Sequence, residues 1–127
     1  MTLYRGSCHC GAIAFEASGD LGVVEVCNCS ICAKTGYLHW YVEPNDFRLL
    51  TSEDAIADYQ FGTRTAHNLF CRTCGVSPFR RARSDPNKWN INVRCLEGVD
   101  VDALVIEVFD GRNWERSYTE RRPEAKS

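Results

Sequence analysis

At 127 residues, 44% of them hydrophobic, the chain has the size of one domain built on one core. A formal charge of −2 offers no broad positive field to nucleic acid or an anionic membrane, and no apolar run approaches the ~18 residues needed to span a bilayer. The first eleven residues lack a basic-then-apolar leader, so the expectation is a soluble cytoplasmic protein with neither a nucleic-acid nor a membrane partner.

Read in chain order, the first element is a knuckle, Cys8-His9-Cys10-Gly11. Alternation of apolar and polar residues then predicts strands over 13–17 and 23–26, ahead of a second cluster, Cys27-Asn28-Cys29-Ser30-Ile31-Cys32. A short helix is expected over 30–35, opening beside that cluster. Strands follow over 38–43 and 47–51, a brief turn over 52–55, and further strands over 56–61 and 66–70. After the third cluster, Cys71-Arg72-Thr73-Cys74-Gly75, strands are expected over 78–82, 89–96 and 104–109. Asp110-Gly111-Arg112-Asn113 reads as a turn in which Gly111 supplies a permissive backbone. Residues 1–116 form one domain in this reading, and the charged stretch 117–127 is a frayed polar tail. The pattern is mainly β, with antiparallel sheets and very little helix.

Seven of the eight cysteines lie in the three clusters, and thiolates are soft ligands that suit zinc, copper(I) or iron–sulfur centres. Two pairs can close one tetrahedral site, which leaves Cys27, Cys29 and Cys32 one ligand short of a second. Which pairs combine has two answers. Cys29 and Cys32 could join Cys71 and Cys74 as a zinc ribbon, or Cys8 and Cys10 could join Cys71 and Cys74. The second is favoured because only those two pairs carry a glycine, Gly11 or Gly75, directly after the second cysteine, where a tight knuckle needs φ > 0. Disulfides are disfavoured by the strained Cys-x-Cys spacing and the reducing compartment. A thioredoxin-like role for Cys71 and Cys74 is disfavoured because strand rather than helix follows them.

A zinc with three thiolates keeps one position for water or an incoming thiol, lowering its pKa so that it reacts as thiolate near neutral pH. Facing an aldehyde, such a thiolate would form a thiohemiacetal. The site itself would carry a net charge of about −1. An acidic thiol would call for cations, with Lys34, Arg94, Arg64 and the group Arg80-Arg81-Arg83 as candidates. That arginine group reads more simply as a solvated strand face. His39, Tyr41 and Glu43 alternate on one strand face and could hold a proton for the chemistry, although an outward polar face is the favoured reading. His67 reads as a structural histidine or a partner behind the metal ligands. Cys95 reads as a small buried residue, with a fourth ligand to the second zinc as its sharper alternative. Trp40, Trp89 and Trp114 read as core.

Taken together, Gly6-x-Cys8-x-Cys10-Gly11, Cys27-x-Cys29-Ser30-x-Cys32 followed by Lys34 and Gly36, and His67-x-x-Phe70-Cys71-x-x-Cys74-Gly75 form a specific pattern. It continues through Asn92-Val93-Arg94-Cys95-Leu96 and Phe109-Asp110-Gly111-x-x-Trp114. In these motifs the chain resembles the family of glutathione-dependent formaldehyde-activating enzymes, which also contains centromere protein V. The resemblance implies a β-tent of antiparallel sheets with zinc knuckles, a structural zinc on Cys8, Cys10, Cys71 and Cys74, and a catalytic zinc on Cys27, Cys29 and Cys32. It implies Lys34 and Arg94 as substrate-binding residues. The implied activity is that of a carbon–sulfur lyase, joining a thiol such as glutathione to formaldehyde or another small aldehyde to give S-hydroxymethylglutathione, or cleaving the adduct. The alternative is a non-catalytic zinc-stabilised binding module, which Cys95 closing the second site would favour. The sequence carries no sign of an oligomeric state.

Overall fold

The computed structural model describes residues 2–121. Among them the strands are β1 (Thr2–Ser7), β2 (Ala14–Gly19), β3 (Val23–Cys27), β4 (His39–Val42), β5 (Phe47–Leu49), β6 (Ile56–Tyr59), β7 (Asn68–Cys71), β8 (Phe79–Arg80), β9 (Trp89–Asn92) and β10 (Val105–Phe109). The helices are α1 (Ser30–Thr35) and α2 (Trp114–Arg121), with short 3-10 turns between strands. The strands make three sheets: β1-β2-β5, β10-β3-β4-β9-β8, and the pair β6-β7. The chain is therefore mainly β, as its alternation predicts.

All the strand pairings are antiparallel except that of β3 with β10, which is parallel. Parallel neighbours need a long connection rather than a hairpin. Here residues 28–104 supply it, so no local pattern could announce the pairing.

Period-two alternation gives the five-stranded sheet two unlike faces. Val24, Trp40, Val42, Ile91 and Phe79 point one way and are all buried in the core. Cys27, Glu25, His39, Tyr41, Asn90 and Arg80, at the intervening and cross-paired positions, occupy the opposite face. On the core side Phe15 and Ala17 of β2 close the interior. Phe15, Phe47, Phe79 and Trp89 pack as an aromatic group with ring centroids 4.4 to 5.7 Å apart. Offset and edge-on rings at such distances add about 0.5–1.5 kcal/mol per pair beyond area burial.

Gly6 of β1 lies directly opposite Phe15. A methyl group on it would overlap the Phe15 ring and lie 2.9 Å from the Cys95 carbonyl oxygen. Both neighbours are held by the core, so Gly6→Ala is expected to cost about 1–3 kcal/mol, as overpacking does. At about 4–8 °C per kcal/mol, a thermal melt of the metal-loaded protein should show the loss, and an unchanged midpoint would refute it.

The strands depart from their expected limits in understandable ways. β1 was not anticipated, and β9 stops at Asn92, whose side chain accepts from the Arg94 amide at 3.2 Å and turns the chain into a 3-10 turn. The stretch from Ser117, expected as a tail, begins inside α2; residues 122–127 of that stretch lie outside the described residues. Contacts with the rest of the chain, not propensity, hold α2. Arg83 bonds Glu115 at 2.7 Å and covers the Trp114 ring at 3.7 Å, and Ser117 Oγ donates to the Asp110 carbonyl at 2.7 Å.

Candidate metal centres

Two turns build the first centre. Cys8 leaves the end of β1, and its amide closes the turn by donating to the Ile13 carbonyl at 3.0 Å, while the Ile13 amide points back at Cys8 Sγ at 3.3 Å. Cys71 ends β7, and the amides of Thr73 and Cys74 aim at its sulfur at 3.4 and 3.5 Å. Gly11 and Gly75 sit at φ 84° and 80°, the left-handed conformation each knuckle requires. The four sulfurs of Cys8, Cys10, Cys71 and Cys74 converge within 4.8 Å of one another, which selects the second of the two pairings. Sulfur–sulfur separations of 3.8 Å for Cys8 to Cys10 and 3.7 Å for Cys10 to Cys71 match the edge of about 3.8 Å of a tetrahedron with ~2.3 Å metal–sulfur bonds. Amides of Val76 and Cys10 hold the Cys74 thiol down to about 6. The donor set and its spacing fit a closed four-thiolate zinc.

The second centre joins the end of β3 to the start of α1. Cys27 is the last residue of β3, and Cys29 is the N-cap of α1, its sulfur accepting from the Cys32 amide at 3.5 Å. Gly36 ends the helix with φ 67°, so the turn carrying Cys32 is capped at both ends. The three sulfurs lie within 4.8 Å of one another, and no fourth Cys, His or carboxylate among the described residues joins them. Hydrogen bonds from Cys27 and then Cys32 hold the Cys29 thiol down to about 2. Hydrogen bonds from Cys27 and then Cys29, with burial, push Cys32 well above the usual thiol range, although the Arg80 charge opposes this. An ion taken by all three sulfurs would therefore displace protons from the neighbours of Cys29.

A segment remote in sequence roofs this centre. Asn28, between the first two cysteines, donates from Nδ2 to Asp110 Oδ1 at 2.9 Å and accepts at Oδ1 from the Arg112 amide at 3.0 Å. Arg112 Nε donates to the Asn28 carbonyl at 3.0 Å. Asp110 also accepts from Asn113 Nδ2 at 2.8 Å, and these amide contacts, Asn113 first, lower its carboxyl below the ordinary value. Gly111 has no positive φ, so backbone freedom is not its use. A methyl group there would overlap Cys27 Sγ and come within 2.8 Å of Cys29 Cβ. Gly111→Ala should thus weaken uptake of the second ion at least about tenfold while sparing the first, because sulfurs fixed on a metal cannot move aside. A competitive metal titration giving two unchanged affinities would refute this.

The second centre opens into a cavity of about 480 Å³. Its floor is the polar face of the five-stranded sheet, with His39, Tyr41 and Arg80, and its walls include Ile31, Phe61, Phe109 and Trp114. His39 is buried, with Nδ1 2.7 Å from Asn90 Nδ2 and its ring stacked 6.4 Å from Tyr41. Of the alternating trio on β4, then, His39 and Tyr41 reach the cavity, while Glu43 pairs with Lys88 at 3.4 Å.

Lys34 and Arg94 do not line the cavity. Both are exposed, and Arg94 Nε donates to the Gly36 carbonyl at 3.2 Å. Arg64 is likewise exposed, at φ 58°. His67 bonds Asp58 at 2.7 Å in an exposed pair and belongs to neither sulfur group. Cys95 belongs to neither sulfur group; its Sγ lies 3.8 Å from the Ser77 carbonyl oxygen, and burial pushes its thiol up to about 11. Arg81 covers the Trp89 ring at 3.6 Å. Three residues that matter here were passed over as a turn or a solvated face, namely Gly111, Arg112 and Arg80. Alternation with the buried Phe79 was the one local sign that Arg80 faces inward across the sheet.

These features define a mainly β protein with one closed four-sulfur centre and one open three-sulfur centre at a cavity. The chain belongs to the glutathione-dependent formaldehyde-activating enzyme family, whose sequence profile matches residues 3–110. It is also similar to the crystal structure of a Rhodobacter sphaeroides protein determined as a structural genomics target. The two share 36% sequence identity at a TM-score of 0.74, over 80% of this chain and 97% of that one.

Proposed function

We propose that the protein is a zinc-dependent carbon–sulfur lyase of the formaldehyde-activating type, joining glutathione or a similar small thiol to formaldehyde or another small aldehyde, and cleaving the same adduct. The observation that carries this reading is the convergence of Cys27, Cys29 and Cys32 at the wall of the cavity, with no fourth protein ligand among the described residues. Family membership supports it. A zinc ion on these three thiolates would supply a Lewis-acid position where a thiol ionises near neutral pH.

The surrounding residues would do the rest. The apolar walls formed by Ile31, Phe61, Phe109 and Trp114 would shield one side of the reacting pair from water. The thiolate sulfur forms a bond to the aldehyde carbon, the carbonyl electron pair moves onto oxygen, and that oxygen takes a proton; the reverse cleaves the adduct. His39, Tyr41 and Glu25 are protonatable groups on the cavity floor, and Asn90 holds the His39 ring from Nδ1. In this reading Cys8, Cys10, Cys71 and Cys74 hold a second zinc whose task is structural. Reduced cysteines at both centres suit a reducing compartment such as the cytoplasm. The binding-module reading asked for Cys95 to close the open centre, and Cys95 lies elsewhere.

The test is exchange spectroscopy on glutathione mixed with labelled formaldehyde. Zinc-loaded protein is expected to accelerate exchange between the free aldehyde and its glutathione adduct above the spontaneous rate. An unaltered rate would refute the enzyme reading.

A further inference from the structure

We propose that Arg80 anchors a carboxylate of the thiol substrate, so that the open centre selects anionic thiols over neutral ones. The inference rests on the thiol chemistry proposed above and adds a substrate class to it. Arg80 is only 8% exposed, yet it lines the main cavity beside Cys32, and the two residues also line a neighbouring cavity of about 290 Å³. Its Nε donates to Asn68 Oδ1 at 3.1 Å, and its guanidinium lies 5.9 Å from the Tyr37 ring centroid. Neither partner is charged. Among the described residues no carboxylate comes within ion-pairing distance of it.

A buried guanidinium with no carboxylate partner is costly, and proteins rarely keep one without a use. A guanidinium has five N–H donors, and one of those of Arg80 is taken within the protein. The remaining fork matches a carboxylate held by two parallel hydrogen bonds. The other cations at the cavity are already committed. Arg83 is bound to Glu115 and stacked on Trp114, and exposed Arg112 holds the Asn28 carbonyl. Glu25 shares the polar face but stands on β3, three strand spacings from β8, or about 14 Å.

A second task for Arg80 would be to offset the charge of a three-thiolate centre. The two tasks predict different substrate preferences. Mere neutralisation confers no preference for a carboxylate, because the thiolates themselves repel it. An anchoring fork creates that preference against the field of the cluster.

The experiment compares 3-mercaptopropionate with the neutral 2-mercaptoethanol on cobalt(II)-loaded protein, following the thiolate-to-cobalt absorption. The wild type is expected to bind the carboxylated thiol at least about tenfold more tightly. Arg80→Met should erase that preference, weakening the carboxylated thiol at least about tenfold more than the neutral one. Equal affinities in the wild type, or equal weakening of both thiols by Arg80→Met, would overturn the inference. If Arg80→Met does not fold, Arg80→Lys reads the same comparison, since it keeps charge but not the fork: a loss of about threefold or more in the preference supports the anchor, and an unchanged preference overturns it. Should neither thiol alter the cobalt spectrum of the wild type, the thiol chemistry of the centre itself fails, a result distinct from the others.

Discussion

Removing the ion from the four-sulfur centre is expected to abolish cooperative folding. Cys8 and Cys71 are 3% and 0% exposed and belong to the core cluster, while Cys10 is exposed and Cys74 half-buried, so this centre ties the interior to the surface. It ties the turn after β1 to the end of β7. β7 pairs in a sheet of only two strands, an arrangement that is marginal alone in water. Without the ion, four thiols would crowd a space sized for four thiolates around a cation. Structural zinc sites contribute about 10–16 kcal/mol of binding free energy, and a domain of this size is stable by about 5–15 kcal/mol in total. The first quantity is as large as the second, so the folded state should not survive complete chelation. Circular dichroism and calorimetry on exhaustively chelated protein, and on Cys71→Ser, should show loss of the cooperative transition. Retention of the native spectrum and melting midpoint after verified metal removal would disprove the claim.

Cys29→Ser is expected to behave in the opposite way, eliminating function and sparing the fold. Cys29 is half-buried and caps α1 with its side chain. Serine is among the best N-caps, so its hydroxyl can accept the Cys32 amide and preserve the helix start. The same hydroxyl is a hard, protonated donor and a poor substitute for thiolate on zinc. Metal analysis should fall from two ions to one, and catalysed adduct exchange should drop to the spontaneous rate. The melting midpoint should move by no more than about 4–8 °C, the equivalent of about 1 kcal/mol in a small domain. Loss of both ions would show that the centres are not independent.

Much of this was legible from the sequence because metal knuckles are local. Cys8 and Cys10, or Cys71 and Cys74, announce themselves by spacing and by the glycine that follows, and the helix over Ser30–Thr35 begins and ends where expected. Strands such as β3, β4 and β10 are readable because alternation is also local. The parallel pairing of β3 with β10 is not, since it joins Val23 to Val105 across most of the chain. Helix α2 is charged along its length and is held in part by Arg83, which no window around Ser117 contains. Gly111 could be taken for a turn residue because its neighbour in space, Cys27, is remote in the chain. Arg80 was hidden by company: flanked by Arg81 and Arg83, it resembles a solvated run until the sheet shows which member faces inward.

The two unlike faces of β4 limit how this protein can change over evolutionary time. His39 and Tyr41 belong to the cavity, while Trp40 and Val42 belong to the core, and the strand is only four residues long. Insertion or deletion of one residue near its start would exchange the two sets, sending an imidazole and a phenol into the apolar interior and an indole into the cavity. Stability and chemistry would fail together. Point substitution can tune either face alone, but length variation has to be confined to the connections on either side of the strand.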